Sequence, residues 1–412
     1  MDALVKKPPR VLLYSLRNIF GNAVFRCPHF EFEDIIREID SVEMQAPKLD
    51  PHSARTMLAM RLAYHAPITL NPGIRAKLAR PARTHYDLFV AVCGGLAFPL
   101  DFLMIDAVSK AKDMCRTSVC IIDELWVKQM HRHRHFLRVL EKFDIVMLYY
   151  SQTVKPLAEQ IGRKCIFLPI GIDTIAFCPY PTPPQRVVDV YSIGRRSERT
   201  HQRLLRMVRE NGLFYLYDSI GGHEAINSSQ HRALFANTAK RSRYFIVNPG
   251  LIDRPEKRGN QFEIGNRYFE GAASGAIMIG ERPANEEFGK LFDWPDAMTH
   301  LPYDSEDIDV VIRRLDRDRE RQEAIRRTGV VQSLMRHDWV YRWEAVLKAA
   351  GLEPMQGVVE RKQRLKKLAE LVSQSDRLET ESCLEISEVQ HLRLASFNSA
   401  SPSFARKRDT ST

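Results

Sequence analysis

The chain of 412 residues lacks most of the features that would settle a function by inspection. Its most apolar stretch, FVAVCGGLAFPLDFLMIDAV at 89–108, is interrupted by Gly94, Gly95, Pro99, Asp101 and Asp106. It falls short of the clean run of about 20 apolar residues that a membrane-spanning helix needs. The start, MDALVKKPPRVLLYS, carries too short an apolar run behind its basic residues for a signal-peptide core. The seven cysteines are odd in number and form no CxxC pair, which argues against a disulfide framework or a zinc ribbon and for a reducing, cytoplasmic setting. Short-period repeats are absent. Gly (20) and Pro (22) stand at ordinary levels, which excludes collagen-like and wholly disordered chains.

What is present is a soluble globular composition, 44% hydrophobic and 27% charged, with a net charge of +10. The length predicts two or three domains. Positive charge concentrates in RRSERTHQRLLRMVRE (195–210), six Arg against two Glu, readable either as a solvated helix face or as a site for an anionic ligand. Short β-rich runs alternate with helical patterns, the mark of parallel α/β architecture. Strands are expected at 10–14, 87–93, 118–122, 144–149 and 165–168, with Ser151 as N-cap of the helix that follows the fourth. Four prolines between 179 and 184 make 171–186 a hinge. A second series follows, with strands at 187–193, 213–217, 244–247 and 276–279. In 339–350, Trp339, Trp343, Val346, Leu347 and Ala350 give a helix one buried face. The expected organisation is 1–170, a hinge at 171–186, 187–352, and a polar helix with a disordered tail over 353–412.

Ligands of open parallel sheets bind beyond the carboxyl ends of the strands, where helix N-termini also point. Gly194, Arg195 and Arg196 follow the first strand of the second series. The two guanidiniums are either solvated turn residues or a bidentate diphosphate clamp. In GNRYFEGAASGAIMIGE (265–281) the small residues Gly271 to Gly275 let a helix lie close to a ligand or a strand. Glu270 there is either a carboxylate favoured by the helix dipole or an acceptor for ribose hydroxyls. In the first half, Asp123 and Glu124 end a strand and face the expected cleft, as helix caps, ion-pair partners or a general base. For His29 and Asp101 a structural role is favoured, and Gly94-Gly95 is a tight turn or a close backbone approach to substrate. His131, His133 and His135 lie in HRHRH, with His131 and His135 expected on one helix face. The intervening arginines favour a basic surface helix over a metal site. Asp316 and Asp318 have the spacing of a metal-held diphosphate site, but in a charged, solvated helix.

Three segments, LPIGIDTIAFCPYP…VVDVYSIGRR (168–196), NRYFEGAASGAIMIGE (266–281) and RHDWVYRWEAVL (336–347), resemble the family 1 type of glycosyltransferases with the GT-B fold, in particular the group that includes the CgeB-like spore-maturation proteins. The resemblance implies two Rossmann-like doubly wound domains facing across a cleft. It implies a second domain that holds a nucleotide diphosphate sugar, with Arg195 and Arg196 on the diphosphate, Glu270 on the ribose, and Gly194, Arg199, Asn266, Arg267 and Gly271 completing the donor site. Asp123 and Glu124 become the candidate catalytic residues. No metal and no cofactor beyond the donor itself are expected. Two departures stand out. The Lys of many relatives a few residues after the Arg is replaced here by Arg199 and His201, and the acidic position eight residues before the ribose Glu is Phe262, with Glu263 one residue off. The expected function is sugar transfer to an acceptor hydroxyl of a glycan, lipid-linked or protein acceptor in glycan or surface polysaccharide biosynthesis. The alternatives are a non-catalytic nucleotide-sugar-binding scaffold and an epimerase or hydrolase of sugar nucleotides. Nucleic acid is not an expected partner, and peripheral membrane contact through the basic surface stays open.

Overall fold

The computed structural model describes residues 8–20, 23–50, 52–65, 83–96, 99–218 and 227–374. The expected disordered tail lies outside them. Two parallel sheets organise the chain. The first contains β1 (Val11–Tyr14), β2 (Val42–Gln45), β3 (Tyr86–Gly95), β4 (Cys115–Glu124), β5 (Ile145–Leu148) and β6 (Lys164–Phe167) in the order β2-β1-β3-β4-β5-β6. The second contains β7 (Val188–Ser192), β8 (Tyr215–Tyr217), β9 (Ser242–Val247), β10 (Ile277–Gly280) and β11 (Thr299–His300) in the order β11-β10-β9-β7-β8. Every pairing is parallel. Each order reverses beside its first strand, so each domain is doubly wound with a switch-point crevice at the strand ends. Strands sandwiched between helices read as unbroken apolar runs rather than alternating ones. The central β3 obeys this, with nine of its ten residues buried.

The chain crosses between the domains twice. Residues 171–186 lead out, interrupted by a short helix at Thr174–Phe177. The Trp339–Ala350 helix leads back, capped at its start by Asp338, whose carboxylate accepts from the Val340 N–H. Trp339 and Trp343 are fully buried against the first domain. Trp339 stacks on Phe32 at 4.5 Å between ring centroids, and the Trp343 indole N–H donates to Asp40 at 2.9 Å. The return extends through a helix at 356–374, whose Leu365 and Val372 are buried and whose Arg361 pairs with Asp338 and Asp173. A residue stripe on one helix face thus closes the first domain's core rather than ending the second.

Candidate donor and acceptor walls of the interdomain cleft

A cleft of about 930 Å³ opens between the carboxyl ends of the two sheets. Its second-domain wall is cationic. Arg195, Arg196, Arg232, Arg254 and Arg267 line it, beside Asn266 and Gly265 at the start of the Asn266–Ser274 helix. That helix aims its first backbone N–H groups at the cleft, where an anion is favoured. Gly194 makes the turn out of β7 at φ +88, and its N–H donates to Asp218 at 3.2 Å. Asp218 also fixes Arg196 at 2.7 Å, and that guanidinium lies 5.0 Å over the Tyr217 ring. Arg195 is held by Asp253 at 2.7 Å. A guanidinium has five N–H donors, more than one carboxylate takes up. Each aspartate therefore fixes the position of its arginine and leaves it donors for a ligand.

The 195–210 run divides in two. Arg195 and Arg196 line the cleft, whereas Arg199 and Arg203 lie on the Glu198–Asn211 helix and pair with Glu306 and Asp309. Arg199 is well exposed and is not among the lining residues. Glu270 lies behind the wall. It is 1% exposed, with one oxygen bonded to Arg232 at 2.6 Å and the other to Arg267. Burial alone would raise its pKa, but Arg267 and Arg232 outweigh that and hold it below the usual carboxylate range. Gly271 faces the sheet. A Cβ there would stand 2.8 Å from Met278 and 2.9 Å from Phe245, so the glycine lets helix and strand approach.

The first-domain wall is apolar and acidic. Val24, Phe25, Pro28, Tyr150 and Ile170 surround Asp123 and Glu124, and no Lys or Arg occurs among its described lining residues. The side chain of Asp123 is 24% exposed and meets Nε2 of the nearly buried His29 at 2.8 Å. Glu124 accepts the Trp126 indole N–H at 2.7 Å, and burial raises its pKa, with neighbouring Asp123 adding to the rise. Two adjacent carboxylates thus sit in different environments, one on an imidazole and one pushed toward its neutral form.

Other expectations resolve into structure. Asp101 is buried, bonded twice to Arg26 at 2.7 Å, and takes the Gly94 N–H at 2.6 Å. Gly95, at φ +91, lets β3 approach β4, because a Cβ would lie 1.7 Å from the Glu124 carbonyl oxygen. Residues 131–135 are not one helix. Short helices at Val127–Met130 and Arg134–Leu137 flank a turn, so His131 and His135 share no helix face. Asp316 ends one helix on Arg243 and Tyr244, and Asp318 caps the next. No group of three or more His, Cys, Asp or Glu poised to hold a metal occurs among the described residues.

Ser151 does not cap the helix after β5. It opens a 3-10 turn, and its N–H donates instead to Glu263 at 3.1 Å, as the Gln152 N–H does at 3.0 Å. Glu263, 1% exposed, also accepts from the side-chain amides of Gln261 and Asn285. The carboxylate neighbouring Phe262 therefore ties the second domain to the first, and it is not among the residues lining the cleft. Burial pushes its pKa up to about 7 despite these four N–H donors. A pKa raised in the native state penalises the ionised form, so this contribution to stability is complete below about 4.5 and is lost as pH rises through about 7. Urea midpoints measured from pH 5 to pH 8 should fall by more in the wild type than in Glu263→Gln. Parallel curves for the two proteins would remove Glu263 from this role.

Residues 197–348 match the family described as glycosyl transferase-like. No curated protein matches the chain. Among solved structures, the chain is similar to Anabaena Alr3699/HepE in complex with UDP-glucose, at 11% identity over 83% of this chain and 99% of that one, with a TM-score of 0.47. It is also similar to an alpha-glucosyltransferase in complex with UDP and a 13-mer DNA containing a HMU base, at 10% identity over 84% and 100% and a TM-score of 0.49. A third is an alpha,alpha-trehalose-phosphate synthase (UDP-forming) from Burkholderia vietnamiensis, at 9% identity over 82% and 80% and a TM-score of 0.45. The segment that carries most of the arginine wall is thus similar to the glycosyl transferase-like family, in a chain whose two facing Rossmann-like domains have the GT-B layout.

Proposed function

We propose that the protein transfers a sugar from a nucleoside diphosphate sugar to an acceptor hydroxyl, as a metal-independent glycosyltransferase of glycan assembly. The observation that carries this reading is the polarity of the cleft: one wall has five arginines against three carboxylates (Glu198, Asp218 and Asp253) and a helix N-terminus, and the other has two carboxylates and no Lys or Arg among its described lining residues. The diphosphate lies on Arg195, Arg196 and the Asn266–Ser274 helix start, with the sugar directed at the first domain. Asp123 accepts the acceptor proton as the new oxygen–carbon bond forms. The bond from the sugar to the diphosphate breaks, and the arginines stabilise the charge that develops on the departing oxygen. Arg267, at the cleft rim, stands in for the second phosphate cation that Arg199 does not supply. No described helix is long and apolar enough to cross a membrane.

Calorimetry of UDP, GDP, ADP and CDP against the whole chain, with and without EDTA, tests the donor wall. One nucleotide should bind clearly more tightly than the rest, with the same affinity in EDTA. Binding that vanishes in EDTA sinks the metal-independent reading, and binding of none sinks the donor site.

A further inference from the structure

One buried chain of charge crosses from the first domain to the back of the arginine wall. Glu31, on the Cys27–Ile39 helix, accepts from Arg232 Nε at 2.7 Å, from the Asp173 N–H at 2.9 Å and from the Trp339 indole N–H at 2.9 Å. Its four-way setting is completed by Arg232 Nη2 at 3.4 Å. Arg232 then gives its Nη1 to Glu270 at 2.6 Å. A first-domain carboxylate therefore fixes, through one arginine, the carboxylate assigned to the ribose.

The two arginines on Glu270 are not equivalent. Arg232 has a side chain 8% exposed, is forked onto Glu31, and lies over the Phe177 and Phe235 rings at 4.9 and 5.6 Å. Arg267 is 31% exposed and stands at the cleft rim. Glu270 is 1% exposed, so ribose hydroxyls can reach it only if a covering arginine moves aside, and the more exposed Arg267 is the one placed to turn toward a diphosphate. Were both to leave, an ionised carboxylate would stay buried without a counter-ion, which is strongly unfavourable.

We infer that Glu31 and Arg232 are positioning residues for donor recognition: Glu31 holds Arg232 on Glu270, so that Glu270 stays charged and aimed when Arg267 exchanges it for the diphosphate. The inference rests on the donor-site reading above. Because Glu31 belongs to the first domain and is bonded to both crossings, at Asp173 and Trp339, ribose recognition is coupled to how the first domain seats on the second. By reciprocity, a bound ribose favours that seating by the same factor.

The test uses the full chain and the nucleoside diphosphate that the wild type binds best among UDP, GDP, ADP and CDP, together with its 2′,3′-dideoxy counterpart. The wild type should prefer the ribose form by about tenfold or more, the worth of hydrogen bonds to a charged acceptor. In Glu31→Gln this preference should collapse toward unity, although Glu31 touches no part of the ligand. Arg232→Lys, which keeps the charge and loses the fork, should do the same and serves if Glu31→Gln does not fold. A variant that binds both ligands more weakly but keeps their ratio assigns Glu31 a purely structural role and overturns the inference. A wild type that binds nucleotide without discriminating the dideoxy form overturns it too, leaving the arginine wall intact. A wild type that binds no nucleotide overturns the donor-site reading itself.

Discussion

Asp123→Asn should lower kcat about 10²- to 10⁴-fold, the usual worth of a positioned general base, while leaving nucleotide affinity unchanged. Asparagine keeps the size of the side chain and can still bond His29, so the cleft wall keeps its shape. It cannot accept the acceptor's proton. Behind it, His29 is the group that fixes the carboxylate, at 2.8 Å and with its ring almost buried. Initial rates at saturating donor, with hydrolysis of the sugar nucleotide as the readout where no acceptor is in hand, separate the two effects. A rate within a few-fold of wild type would reject Asp123 as the base. Attention would then move to Glu124, whose burial and bond from Trp126 set it apart from its neighbour.

Glu270→Ala should act on stability and binding together. The substitution strips the second-domain carboxylate from Arg232, leaving a buried guanidinium paired with Glu31, and releases Arg267 at the rim from its ion pair. Breaking a buried pair by removing one partner costs about 3–5 kcal/mol. Because Glu31 still compensates Arg232, the lower part of that range is expected. Urea unfolding measures this loss. Calorimetry on the folded variant should show nucleotide affinity reduced by about tenfold or more, the loss of charged hydrogen bonds to the ribose. Unchanged affinity would detach Glu270 from the ribose and leave it as a structural counter-ion of the two arginines.

The fold was legible because each strand of a parallel sheet writes itself as a short apolar run. DLFVAVC and SVCII mark β3 and β4, and the proline cluster marks the crossing between domains. Arg195 and Arg196 were legible as cleft residues because strand ends are fixed by local pattern and the sheet topology does the rest, whereas Asn266 and Arg267 were reached through the resemblance of their segment. Glu270 was found by its segment, but not its burial, since the arginine that covers it lies 38 residues away. Arg232 itself left no signal. In SSQHRALFANTAK it reads as an ordinary surface residue, and its first-domain partner Glu31 is 201 residues distant. Ser151 illustrates the converse, since its local sequence fits a cap, while the side-chain amide of Asn285 from the other domain donates to the hydroxyl oxygen a cap would use. The HRHRH turn escaped for a different reason: spacing alone fits a helix, and only packing decides where a short helix breaks.

The double crossing between the domains has a mechanical consequence. A single flexible tether would let the two halves separate, twist and slide. Here the outgoing chain at 171–186 and the returning helix at Trp339 run together, joined where the Ile172 and Trp339 backbones exchange hydrogen bonds with His337 and Ile172. Two tethers fixed side by side behave like the paired leaves of a door hinge. They leave one easy rotation, about the line that joins them, and resist shear and torsion. The arginines and the carboxylates are thereby confined to a single arc of approach, so every opening and closing of the cleft returns the same groups to the same facing positions.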